Sequence, residues 1–240
     1  MLRLRCLECS AQFAEERAEE TFKNPLMRGR NNLAFKCNWM DTDYEKPCTA
    51  MGRRYNIYDA KRPWCSQPHN ECCLYEEGEL KNIEPFPCYE SMIVPQWVFG
   101  AGMHHGGVRD GQGIRIKDEM TGKVAVLTTR GPGEGEEDRS IFAYLRIRKQ
   151  YTDESEITMI EGDPETSLKV PAQFRLRFWD YYSNAKSDAI RWGTGLFRYL
   201  SDKEVRAILT AQLEALPTTR YVMERKKVAA LVSIYQPARS

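Results

Sequence analysis

All eight cysteines of the chain fall within its first 88 residues, at Cys6, Cys9, Cys37, Cys48, Cys65, Cys72, Cys73 and Cys88. The same part of the chain is broken by proline, at Pro47, Pro63, Pro68, Pro85, Pro87 and Pro95, and has little apolar periodicity. A segment of this kind offers no continuous hydrophobic face, so its order has to come from another source. Thiolate ligation of a metal is the usual one. The opening residues, MLRLRCLEC, lack the apolar core of a secretory signal, and no run approaches eighteen apolar residues. The chain therefore reads as soluble, cytoplasmic and without a membrane partner. In that reducing setting eight cysteines are thiols rather than a disulfide framework.

Several ligand groupings satisfy the spacing. Cys6 and Cys9 form a CxxC pair that one turn can present to a tetrahedral ion, and Cys37 with Cys48 completes a four-thiolate zinc site. Cys65, Cys72, Cys73 and Cys88 form a second set, with His69 as a substitute ligand. Neighbouring Cys72 and Cys73 point apart, which makes one of them a packed thiol. The alternative places an iron–sulfur cluster on Cys48, Cys65, Cys72 and Cys88. Zinc is thus the expected cofactor, with an iron–sulfur cluster as its rival, and residues 1–91 are read as a cysteine-rich metal-binding module.

Residues 92–240 read as an α+β domain. The stretch GIRIKDEMTGKVAVLTTR suggests two strands about a turn at Thr121 and Gly122, followed by the polar loop GPGEGEEDR and a strand in IFAYLRIRKQ. FRLRFWDYY alternates, with Phe174, Leu176 and Phe178 on one side and Arg175 and Arg177 on the other. Strands are expected over 92–182 and helices after 184. Ser201 and Glu204 fit a capping box that opens a helix with an apolar stripe at Val205, Ile208, Leu209, Leu213 and Leu216, stopped by Pro217. A further polar helix is expected over 11–24, and a last one in TRYVMERKKVAALVSIY.

The 35 Lys and Arg residues nearly cancel the 34 Asp and Glu, so binding of nucleic acid would have to use a local patch. Arg146, Arg148, Arg175 and Arg177 supply one if their strands are neighbours, since guanidinium groups pair with phosphates. Trp97, Trp179 and Trp192 are candidates for stacking on a base, and Asn184 has both the donor and the acceptor to read a base edge. The solvated alternative is a sheet face whose arginines are offset by nearby acids.

From Met92 to Trp192 the organisation, VAVLTTR through a polar loop to RSIFAYLRI with tryptophans nearby, resembles the PUA-like superfamily that includes the EVE and YTH readers of modified bases. That resemblance implies a small curved β-barrel with flanking helices and an aromatic pocket for a flipped or modified base, with Trp97, Trp179 and Trp192 as its walls. The expected function is metal-assisted recognition of DNA or RNA without covalent chemistry, with a protein partner as a further expectation. The chain has no Walker A pattern, HExxH, dinucleotide fingerprint or GxSxG elbow. The alternative is an enzyme, either a metal-dependent nuclease using Asp41, Asp43 and Glu45 or an iron–sulfur-cluster-containing enzyme, and carboxylates converging near His104 or His105, which can bind metal or act as a base, would favour it.

Overall fold

A computed structural model describes residues 30–44, 48–84, 87–183, 190–193 and 195–235. The helix expected over 11–24, together with Cys6 and Cys9, lies outside them. The fold is α+β, organised on a seven-stranded sheet. Its strands are β1 (Arg30–Lys36), β2 (Val98–Gly100), β3 (Val124–Thr129), β4 (Ser140–Thr152), β5 (Thr158–Gly162), β6 (Leu168–Lys169) and β7 (Phe197–Ser201). The order is β2-β5-β4-β3-β1-β7, with β6 beside β4. Every pairing is antiparallel except β1 with β3, which run parallel with Lys36 opposite Thr128. Strand β4 is long enough to serve two neighbours. Its first half pairs with β3, and beyond an irregularity between Ile147 and Lys149 its second half pairs with β5.

The sheet is covered on both faces, which is why β3 reads as an unbroken apolar run. Leu33, Phe35, Ala125 and Leu127 point into one core, while Ala34, Val124 and Val126 point into the other. Helices α4 (Asp202–Ala215) and α5 (Val222–Ser233) cover the second face. The Ser201 hydroxyl accepts from the Glu204 N–H at 3.2 Å, and the Glu204 carboxylate accepts from the Ser201 N–H at 2.6 Å. This reciprocal cap starts α4, and Val205, Ile208 and Leu209 then bury its stripe completely. Arg225 of α5 donates to the Leu213 and Leu216 carbonyls, satisfying orphan acceptors where Pro217 ends the preceding helix.

The first face is covered by an irregular layer over 37–97. Its helices are short: α1 (Ala50–Arg54), continued as a π-helical turn at Tyr55–Asp59, then α2 (Glu71–Glu76) and α3 (Tyr89–Gln96). Helix α1 lies against the chain at Gly52, where a Cβ would stand 1.9 Å from the Met40 carbonyl oxygen. The Thr49 hydroxyl caps α1 and also donates to that carbonyl at 3.0 Å, locking the crossing. Pro95 lies in the last turn of α3, and Trp97 ends it in the left-handed region with φ 54°.

Three expectations are corrected. The sheet is open, running from β2 at one edge to β7 at the other, so the PUA-like barrel is not formed. FRLRFWDYY is not a strand: it forms 3-10 turns at Ala172–Phe174 and Phe178–Asp180, and Arg177 makes only an isolated bridge to Ser140. The alternation still sorts its side chains, since Phe178 is buried and Arg177 exposed. Strands are also not confined to 92–182, because β1 and β7 lie outside that range and complete one edge of the sheet.

Candidate functional site

Four thiols face a common space. Cys48, Cys65, Cys72 and Cys88 line a small, partly open cavity of about 10 Å³ together with Arg53, Asn56 and Glu90. Each arrives by its own local device. Cys48 precedes the Thr49 cap, Cys72 sits in the first turn of α2 behind the Asn70 cap, and Cys88 is the N-cap of α3. Cys65 lies in the turn after Arg62. Cys73 is absent from that lining, and its Sγ lies 3.5 Å from the Glu77 carboxylate. Burial, with the charge of Cys88 adding to it, pushes the Cys48 thiol up to about 12; burial and the Glu90 charge do the same for Cys88.

Glu90 closes one side of this chamber. Its carboxylate accepts the Asn38 N–H at 2.7 Å and is also bonded by the Asn38 amide. Burial raises its pKa to about 6, although the Asn38 bonds and the Arg62 charge pull the other way.

The metal assignments are corrected by this geometry. Among the described residues, no three His, Cys, Asp or Glu side chains are grouped to hold a metal ion. The four thiols border the cavity from four separate segments, and Cys37 belongs instead to the core of the sheet. Neither the zinc nor the iron–sulfur assignment stands, and the metal-binding module with them. What holds the layer is ordinary burial: Ile57, Cys72 and Cys73 form a small cluster of their own, while Cys37, Met40, Tyr44 and Ile93 join the sheet core. Asp41 accepts from the Tyr44 N–H, Glu45 lies outside the described residues, and the metal-dependent nuclease falls on the same finding. His104 lies in the loop after β2, where its N–H bonds to the Gln112 carbonyl.

The proposed base-reading residues do not converge. Arg148 is paired with Glu161, and Arg177 with Asp180 at 3.3 Å. Arg175 lies over the Tyr44 ring at 5.5 Å and donates to the Thr42 carbonyl, whereas Arg146 is on β4 opposite Val124. Trp97 packs against the first core, while Trp179 and Trp192 pack in the second, on opposite faces of the sheet. Asn184 lies outside the described residues.

A different set of charges does gather. The parallel strands β1 and β3 bring Lys36 and Arg130 to one edge, and the loop from Gly131 returns through Glu136 to Arg139 at the start of β4. Arg139 is only 1% exposed; it donates to Glu136 at 2.9 Å and Thr128 at 3.4 Å and lies over the Trp192 ring at 5.0 Å. Burial first, and then the charges of Arg139, Arg62 and Arg130, lower the pKa of the Lys36 ammonium, with Glu136 opposing them. Burial would raise the Glu136 carboxyl, but its bond to Arg139 and the charges of Arg139, Arg130 and Lys36 outweigh that and hold it low. The Nε atoms of Arg62 and Arg130 are buried and have no hydrogen-bond partner among the described residues.

Three cations, Lys36, Arg130 and Arg139, therefore share the carboxylate of Glu136, while Arg62 acts on Lys36 and on Glu90. Buried donors without acceptors and an excess of one charge are costly unless an oxyanion meets them. Sequence reasoning passed over Lys36, Arg62, Arg130, Arg139 and Glu136. The clue was that Lys36 and Arg130 directly follow the apolar runs NLAF and VAVLTT, and that one residue separates Arg139 from IFAYL.

Compared with family models, with curated proteins and with solved structures, the chain matches none of them. With the open sheet, that result overturns the PUA-like resemblance. It also leaves the reading as a metal-containing, DNA- or RNA-recognising protein without a matching relative and, among the described residues, without a metal-holding group behind it. No described helix is long and apolar enough to cross a membrane.

Proposed function

We propose that this protein binds a small phosphate-bearing ligand at the carboxyl end of the β1/β3 pair. One observation carries the reading: Lys36, Arg130 and Arg139 surround Glu136 and Arg62 acts on Lys36 beside them, with the Arg62 and Arg130 Nε–H groups buried and without a partner among the described residues. In this role Arg130 and Arg62 donate to the phosphate oxygens and Lys36 supplies charge. Arg139, already engaged by Glu136 and Thr128, fixes the wall behind them. A phosphate would relieve the mutual repulsion of the four cations and raise the pKa of Lys36 toward that of an ordinary lysine.

Titration calorimetry with inorganic phosphate at low ionic strength tests this reading. Binding is expected, weakening as salt rises. Arg130→Gln is expected to reduce affinity about tenfold, the equivalent of about 1.4 kcal/mol, with little change in melting temperature, because the side chain is half-buried and its Nε has no hydrogen-bond partner among the described residues. No binding of phosphate by the wild-type protein, or unchanged affinity in Arg130→Gln, overturns it.

A further inference from the structure

We infer that the ligand of this site is a phosphate monoester carrying a flat, largely apolar group, and that this group lies in a groove beside the cation cluster. The inference rests on the phosphate reading above and adds the rest of the ligand. The groove is open, with a volume of about 390 Å³, and runs between Ala50, Met51, Arg54, Tyr55 and Asp59 on one side and Pro132 on the other. That volume falls in the range of about 300–1,000 Å³ usual for small-molecule sites.

Two links join groove and cations. Pro132 is two residues beyond Arg130, so the groove wall is the start of the loop that leaves β3. On the opposite wall the Arg62 N–H donates to the Asn56 carbonyl at 2.8 Å, fastening Arg62 to the helical turn that carries Tyr55 and Asp59.

The charges fix how a ligand would lie. Arg54 is already paired with Glu76 at 2.9 Å, so it adds little free positive charge to the groove. Asp59 makes no ion pair among the described residues and repels a second anion. The phosphate therefore belongs at the Arg130 end, and the uncharged body of the ligand extends toward Asp59, whose carboxylate suits a hydroxyl or amine on its far rim. Apolar contact is available on both sides. Met51 is 62% exposed with no partner to cover it, the Tyr55 ring is held edge-on against Trp39 at 5.8 Å, and Pro132 is exposed opposite them. A rigid aromatic wall facing a proline suits a planar group better than a flexible chain.

The test compares inorganic phosphate with phenyl phosphate by titration calorimetry on the full chain, wild type and two neutral groove variants, Met51→Ser and Pro132→Ser. Both positions are exposed, so melting temperatures are expected to stay within a degree or two of wild type. Phenyl phosphate is expected to bind roughly tenfold more tightly than phosphate. That advantage should shrink to about threefold or less in each variant, while phosphate itself binds all three proteins alike. Equal affinity for the two probes, or an advantage that survives both substitutions, overturns the groove and leaves the phosphate site intact. Failure of both probes to bind the wild-type protein defeats the phosphate site and the groove together.

Discussion

The two faces of the sheet are covered in opposite ways. On one, α4 and α5 lay regular stripes of Val205, Ile208, Leu209, Val228 and Leu231 against Ala34, Val124 and Val126. On the other, residues 37–97 form short helices and turns whose contacts depend on single features: a glycine under a carbonyl, a capping threonine, a carboxylate turned inward. The candidate site is built on the edge of the irregular face. This contrast suggests that stability is drawn chiefly from the regular face, which leaves the irregular one free to carry partly desolvated charges and thiols around a small cavity.

The largest effect is expected on the regular face. Ile208 is completely buried between α4 and the sheet, and Ile208→Ala removes methylene groups from a site walled by β-strands that cannot collapse. A loss of about 2–5 kcal/mol is expected, read as the shift in a denaturant midpoint with an unchanged slope. A loss below about 1 kcal/mol would mean that the helical layer is not the main source of stability, and the contrast between the faces would fail.

The same contrast explains what could be read from the sequence. The stripe from Val205 to Leu216, its Ser201/Glu204 cap and its proline stop were all legible, because helix periodicity and capping are local rules. Strand β4 was legible for the same reason in its outline, although burial on both faces hides the alternation: Phe142 and Tyr144 are as buried as Ala143 and Leu145. Strand β1 was missed. Its seven residues lie in the cysteine-rich region, and only pairing with β3 and β7, more than ninety residues away in sequence, makes them a strand. The cysteines misled for a related reason. Clustering in sequence suggested ligation, but a thiol is also a small apolar side chain, and these serve as packing around a small cavity. The cation site was invisible because its members are spread from Lys36 to Arg139 and meet only once β1 and β3 pair in parallel and the loop after β3 returns to β4.

Gly52 tests whether the irregular face is as singular as it looks. A Cβ at this position would meet the Met40 carbonyl oxygen at 1.9 Å and its carbon at 2.7 Å, both backbone atoms that cannot rotate aside, with the Cys48 sulfur at 3.0 Å. Although alanine is the better helix former, Gly52→Ala is expected to cost about 1–3 kcal/mol. The loss should be accompanied by faster reaction of Cys48 with a thiol reagent, because α1 must lift from the chain it covers. A neutral or stabilising result would show that α1 is loosely seated, and that its side of the groove is too mobile to define a ligand.

The smallest effect concerns Glu90, which links the thiol chamber to the cation site through Arg62. Its folded pKa of about 6 lies above the ordinary value of 4.5, so the folded protein holds this proton more tightly than the unfolded chain does. The contribution to stability is therefore fully present below about pH 4.5 and is lost as pH rises to about 6, a decline of roughly 2 kcal/mol at most. Glu90→Gln should flatten that segment of the stability–pH curve, whatever it does to absolute stability through the changed bond to Asn38. The groups facing Glu90 sharpen the expectation. Arg62 favours its charge, and the neutral thiols Cys48, Cys65 and Cys88 neither neutralise it nor titrate in this window. Phosphate bound at Arg62 would withdraw part of the positive charge that offsets the burial of Glu90, raising its pKa further. A steeper decline with phosphate present in the wild type, absent in Glu90→Gln, would therefore show that the irregular face transmits ligand charge into the chamber. An unchanged slope would mean that the two sites on this face are electrostatically independent.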